Sequence, residues 1–151
     1  MPEIIPSLWF NQNIEDAMKL YTETFPDSSV DNVTYNDGRV LSAEFTVSGQ
    51  KFVGINAGPE FSFTEAVSFT VTCSSQDEVD YYWNTLTAGG EESQCGWLKD
   101  RFGLSWQIVP TRLYELISDP DPARAKGALD AMMKMGKLII ADLEAGADAA
   151  G

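Results

Sequence analysis

Apolar and polar positions follow two rhythms along this chain, and the rhythms recur in the same order. Ile4 to Phe10 is rich in β-forming residues and stops at polar Asn11-Gln12-Asn13. Asn13 is a helix-capping residue type, and Asp16 stands three positions on, in place of the usual Glu of a capping box. The next segment puts Ala17, Leu20, Tyr21 and Phe25 on one face at three- and four-residue spacing. That spacing predicts a helix, and Pro26 ends it. Three strands are predicted next. Val30 to Asn36 leads into Asp37-Gly38, the strongest hairpin signal in the chain. Arg39 to Ser48 alternates, with Val40, Ala43, Phe45 and Val47 as its apolar members. After a turn at Ser48-Gly49-Gln50, Phe52 to Asn56 is the third strand, so this stretch reads β-α-β-β-β.

A loop from Ala57 to Phe63 carries two aromatics, and the pattern then restarts. Ala66 to Cys73 alternates as a strand through Val67, Phe69, Val71 and Cys73. Ser74 or Ser75 caps a helix, with Glu78 completing a capping box if Ser75 is the cap. Val79, Tyr82, Trp83 and Leu86 form its apolar stripe, and Ala88-Gly89-Gly90 ends it. Shorter strands are predicted at Ser93 to Trp97, around Leu98 to Arg101, and from Leu104 to Val109. This is β-α-β-β-β again, offset by roughly 62 residues.

A different section follows Pro110. Arg112 to Ile117 is predicted as a short helix, and Asp121-Pro122 is a strong start signal for another. Ala125, Leu129, Met132 and Met133 make one apolar stripe, and Leu138, Ile139 and Leu143 a second. Faces of this kind serve as core or as a contact with a second copy. The expected organisation is one domain over 1–151. It comprises a first module at 3–57, a linker at 58–65, a second module at 66–110, and C-terminal helices at 111–145.

Composition narrows the function. The chain has 151 residues, 44% of them hydrophobic, enough to bury a core. Its formal net charge is −13, spread evenly: ten acids against three bases up to Ser75, thirteen against seven after it. Such a surface disfavours nucleic acid and anionic membranes as partners. Histidine is absent. No catalytic triad, Cys-His pair or His-ligated zinc site can form within the chain. Two cysteines make no disulfide framework. No signal-peptide pattern or membrane-length apolar run is seen, so a cytoplasmic location is expected.

Several stretches carry a family resemblance. They include Leu8-Trp-Phe10, Ile14-Glu-Asp-Ala-Met-Lys-Leu-Tyr21 and Phe25-Pro26 in the first module, with Asn56-Ala-Gly-Pro59 at its end. The second module adds Ala66-Val-Ser-Phe69, Glu78-Val-Asp-Tyr-Tyr-Trp83, Gly89-Gly90, Gln94-Cys-Gly-Trp-Leu-Lys-Asp100 and Phe102-Gly-Leu-Ser-Trp-Gln-Ile-Val-Pro110. With the tandem repeat, these resemble the PhnB-like branch of the vicinal-oxygen-chelate superfamily, which includes glyoxalases, bleomycin-resistance proteins and dioxygenases. The resemblance covers about residues 3 to 145. It implies an α+β fold in which two β-α-β-β-β modules form curved sheets around a cleft, followed by C-terminal helices. Proteins of this branch often bear the label 3-demethylubiquinone-9 3-methyltransferase. The chain has no Gly-rich strand-to-helix loop for a dinucleotide-like cofactor, nor the alternating βαβ units of a doubly wound sheet.

The resemblance also implies where ligands sit. Superfamily enzymes hold a divalent metal through His and Glu on the first and last strands of each module. The matching positions here fall near Ile5, at Ser68, at Gln107 in place of the usual Glu, and at Gly54 with Asn56 as its same-face neighbour. None is anionic or an imidazole, so no metal and no other cofactor is expected. The expected ligand-binding residues are Trp9, Gly54, Asn56, Phe61, Ser68, Trp97 and Gln107. Phe63 and Trp106 are further aromatic candidates, although period two sets Trp106 on the face opposite Gln107. Cys95 is a possible nucleophile with Lys99 and Arg101 nearby in sequence, and Glu60 and Glu65 are possible acid–base groups. The expected function is metal-free binding of a small molecule. The alternative is an enzyme of the same superfamily, either a metal-dependent lyase, isomerase or dioxygenase, or a methyltransferase. The C-terminal helices and the superfamily's habit of pairing point to a homodimer.

Overall fold

The computed structural model describes residues 1–151 and contains two compact units, Met1–Phe63 and Thr64–Gly151. The first holds β1 (Ser7–Asn11), α1 (Ile14–Thr24), β2 (Ser29–Asn36), β3 (Arg39–Val47) and β4 (Gln50–Ala57). Its sheet runs β1-β4-β3-β2, with β1 parallel to β4 and the other pairs antiparallel. One face carries Leu8, Phe10, Phe45, Phe52 and Gly54. Helix α1 covers that face with Ile14, Ala17, Met18 and Tyr21, all buried. Met18, rather than the expected Leu20, completes the stripe; Leu20 is only half-buried. Gly54 permits this packing, since a Cβ there would run into the Ile14 side chain and lie 3.3 Å from the Phe45 ring.

The cap of α1 differs from the sequence expectation. Asn13 occupies the N-cap position without making a side-chain cap bond. Asn56 from β4 does so instead: its Oδ1 accepts from the Ile14 backbone N–H at 3.3 Å, and its Nδ2 donates to the Val40 carbonyl at 3.0 Å. A residue distant in sequence therefore supplies the partner that an orphan helix-terminal N–H requires.

The second unit repeats the plan with β5 (Ser68–Cys73), α2 (Gln76–Thr87), β6 (Glu91–Glu92), β7 (Trp97–Lys99) and β8 (Ser105–Pro110) in the order β5-β8-β7-β6. Ser75 caps α2 by accepting from the Glu78 N–H at 3.2 Å. Glu78 reaches back one residue beyond the usual box, to the Ser74 N–H at 2.7 Å. Val79, Trp83 and Leu86 are buried, and Tyr82 is half-buried. The strand expected at Ser93 to Trp97 is mostly turn. Cys95 and Gly96 both have positive φ, which breaks the extended backbone and confines β7 to three residues.

Three helices complete this unit: α3 (Thr111–Ile117), α4 (Pro122–Met132) and α5 (Ile140–Ala150). Asp121 caps α4 by accepting from the Ala123 N–H at 3.0 Å. The expected stripe through Leu129 and Met133 does not form, because those side chains are 43% and 61% exposed. Ala128 is buried instead, with Ala131, Met132 and Met135 packed beside it. The close approach of α4 to α5 explains the choice. Gly127 and Gly146 meet, and a Cβ on Gly127 would come within 2.6 Å of Ala150 Cβ. Only a face of small residues lets the backbones come so near.

Candidate functional site

The pleat sorts the expected ligand-binding residues onto two faces of each sheet. In the first unit, Gly54 and Asn56 share the face covered by α1, where one makes room for Ile14 and the other caps the helix. Their positions are occupied by structural work. Trp9 lies between buried Leu8 and Phe10 and is directed to the opposite, open face. Its indole Nε1 donates to the Gly58 carbonyl at 2.9 Å, and its ring meets Phe61 edge-on at 4.9 Å. Phe63 packs against Phe10 at 5.5 Å. The loop following β4 is thus fastened to β1, and Phe61 remains 65% exposed beside Trp9.

In the second unit, Ser68, Gln107 and Trp97 come together. Parallel pairing sets Ser68 beside Ser105 and Thr70 beside Gln107, while antiparallel pairing sets Trp97 beside Gln107. These residues lie on the sheet face opposite the one that packs on α2. Gln107 Nε2 donates to Ser68 Oγ at 2.9 Å. The result is an amide–hydroxyl pair flanked by an indole. Trp106 is buried on the helix side and donates to Asp100 Oδ2 at 2.9 Å.

Three further features shape the second sheet: an ion pair and an unpartnered hydroxyl on this face, and a buried carboxylate on the helix side. Lys99 Nζ binds Glu65 Oε1 at 2.6 Å. The bond raises the Lys99 ammonium above its ordinary range and lowers the Glu65 carboxyl below its own. Ser105 is fully buried, and its hydroxyl has no hydrogen-bond partner. Asp100, 2% exposed, holds together the turn between β7 and β8 by accepting from the Phe102 and Leu104 backbone N–H groups and from Trp106. In sequence Asp100 sits between Lys99 and Arg101 and looks solvated. The hairpin register that reveals its role depends on the short β7.

Of the possible reactive groups, Cys95 is half-buried with Sγ 3.8 Å from Met133 Sδ. Glu91 and Glu92 fall on opposite sides of β6. Glu91 pairs with Lys99, whereas Glu92 accepts from the Trp83 indole on α2 at 2.9 Å. The superfamily's metal needs imidazole or carboxylate donors, and Ser68, Gln107 and Gly54 offer neither. No group of three or more His, Cys, Asp or Glu side chains converges anywhere in the chain. The residues present do not fit that metal.

The model of the family described as 3-demethylubiquinone-9 3-methyltransferase matches residues 2–109. Among solved structures, a PhnB protein from Bacillus cereus is 31% identical over 73% of this chain and all of its own, with a TM-score of 0.68. A Pseudomonas aeruginosa protein is 20% identical over 73% of this chain and 98% of its own, TM-score 0.59. The fosfomycin resistance protein FosX from Listeria monocytogenes is 13% identical over 76% of this chain and 97% of its own, TM-score 0.54. These last two share the fold. No curated protein matches the chain in sequence. No helix is long and apolar enough to cross a membrane. With two β-α-β-β-β units and a family match across both, the chain belongs to the PhnB-like, 3-demethylubiquinone-9 3-methyltransferase family and has the glyoxalase-type fold.

Proposed function

We propose that this protein binds a small molecule without a metal, on the face of its second sheet opposite α2. The observation that carries this reading is the Gln107–Ser68 hydrogen bond of 2.9 Å. Superfamily enzymes place metal ligands at the corresponding positions. Here the two side chains instead satisfy each other, with Trp97 alongside, and so offer a ligand neutral hydrogen-bonding groups and an aromatic wall. Trp9 and Phe61 offer a second aromatic pair on the open face of the first unit. A cytoplasmic homodimer is part of the same proposal, and light scattering that gives a monomer at all concentrations would remove the dimer from it.

The test is metal analysis of protein purified without chelator, together with native mass spectrometry for retained small molecules. The expected result is substoichiometric metal and a retained organic ligand whose occupancy falls in Gln107→Ala. Stoichiometric Fe, Mn, Ni or Zn that is lost in Gln107→Ala would overturn the metal-free reading. The family's description favours a second reading, a methyltransferase. A saturable rise in Tm with S-adenosylmethionine would support it, by the mass-action stabilisation that any native-state ligand confers.

A further inference from the structure

The second sheet has a recess of about 140 Å³ bordered by Trp97 and Ser105, the strand neighbours of Gln107 and Ser68. Glu65, Glu91, Ser93, Trp97, Lys99 and Ser105 border it. Cross-strand register puts Glu91, Lys99 and Ser105 side by side on this face. The local charge is unbalanced. Lys99 is taken up by Glu65 at 2.6 Å, and Glu91 has no such partner. Glu92 also borders the recess, but its carboxylate is held by the Trp83 indole on the helix side, so two carboxylates, Glu65 and Glu91, face one ammonium. An independent observation marks the same place. Ser105 is 0% exposed, and its Oγ is one of only two buried side-chain polar atoms without a hydrogen-bond partner. A buried hydroxyl in that state costs free energy that a ligand's polar group would recover. Trp97 supplies a half-buried indole, the aromatic face that attracts cations most strongly.

We infer that this recess binds a small organic ammonium ion bearing a hydroxyl or similar polar group. The charged nitrogen lies between Glu91 and the Trp97 ring, and the polar group meets Ser105. At about 30 Å³ per water-sized unit, the volume suits a molecule of four to six heavy atoms. The assignment rests on the reading of this face as a small-molecule site and adds the charge and size of the ligand.

The test is calorimetric titration of the intact protein at low ionic strength with ethanolammonium chloride. Ethylene glycol, sodium glycolate and sodium chloride are run in parallel as neutral, anionic and simple-salt controls. Saturable binding is expected for ethanolammonium alone. Affinity should fall about threefold or more in Glu91→Gln, an exposed substitution that leaves the fold intact, and in Ser105→Ala. Preference for glycolate, equal binding of ethylene glycol, a matching response to sodium, or unchanged affinity in Glu91→Gln would overturn the cation assignment. A neutral or anionic molecule retained on native mass spectrometry would overturn it too, while leaving the small-molecule reading in place. Failure to retain or bind any of these molecules would remove both.

Discussion

Replacement of Asp100 gives a severe test of how the second sheet holds its binding face. Its Oδ1 accepts from the Phe102 N–H at 2.9 Å and the Leu104 N–H at 3.1 Å, and its Oδ2 accepts from the Trp106 indole at 2.9 Å. Asp100→Ala leaves all three donors without that carboxylate. A buried donor left unpaired costs about 1–3 kcal/mol. The Leu104 and Trp106 donors are buried, while the Phe102 N–H is only partly so and can turn to water. Two full penalties and a small third give about 3–5 kcal/mol, a large share of the roughly 5–15 kcal/mol that holds a typical domain folded. Asp100→Asn keeps one carbonyl oxygen for the two backbone groups but turns an NH2 toward the indole N–H, so about 2 kcal/mol is expected. The assay is urea unfolding followed by far-UV circular dichroism at pH 7. A double-mutant cycle with Trp106→Phe then isolates the indole bond. The coupling should reach about 1 kcal/mol or more, because the phenyl ring presents no donor to the asparagine. A loss under about 1 kcal/mol for Asp100→Ala, or a larger loss for Asn than for Ala, would refute the reasoning. Lys99 and Ser105 stand side by side at the two ends of this turn, so the alanine variant should also lose any ligand affinity of the face.

Three further outcomes are expected. Burial, helped by the Glu78 charge, pushes the Cys73 thiol up to about 11. Iodoacetamide at pH 8 should therefore label Cys95 and spare Cys73, as read by peptide mass spectrometry. Because the folded value lies above the ordinary 9.0, the thiol's contribution to stability is intact below pH 9 and is lost as pH rises through about 11. Gly127→Ala should lower stability by about 1–3 kcal/mol despite alanine's better helix propensity, measured by thermal melting, since its Cβ would crowd Gly146 and Ala150. Asn56→Ala should cost about 1 kcal/mol through loss of the α1 cap bond while leaving ligand affinity at the second sheet unchanged.

The repeated β-α-β-β-β order was legible because half-buried strands alternate, and because helix starts such as Ser75–Glu78 and Asp121–Pro122 carry local signals. What periodicity cannot assign is which of a strand's two faces receives the helix. The family resemblance puts Gly54 and Asn56 on the ligand side. A glycine in a strand is also the mark of a close neighbour, and here the neighbour is Ile14. The same limit applies to α4. Leu129 and Met133 look like its core stripe, but the glycine pair at Gly127 and Gly146 draws the helices together along the alanine face instead. Sequence spacing shows which residues share a side. The close contacts that choose the inward side come from partners distant in the chain.

The absence of histidine acquires its meaning from this face. A chain can lose metal ligands and keep a bare apolar surface, or replace them with groups that still recognise a ligand. Ser68 and Gln107 are hydrogen-bonding residues, and they sit within 2.9 Å of each other. Beside them the sheet buries a hydroxyl without a partner and borders a recess with more carboxylates than ammonium groups. An apolar residue at 105 would avoid the unmet hydrogen bond, and a second lysine beside Glu91, in addition to Lys99, would balance the recess. Two departures from the cheapest fold on one face are what the proposed binding site would require. On the proposed reading, they would place the specificity of this protein in charge and hydrogen bonding rather than in a metal.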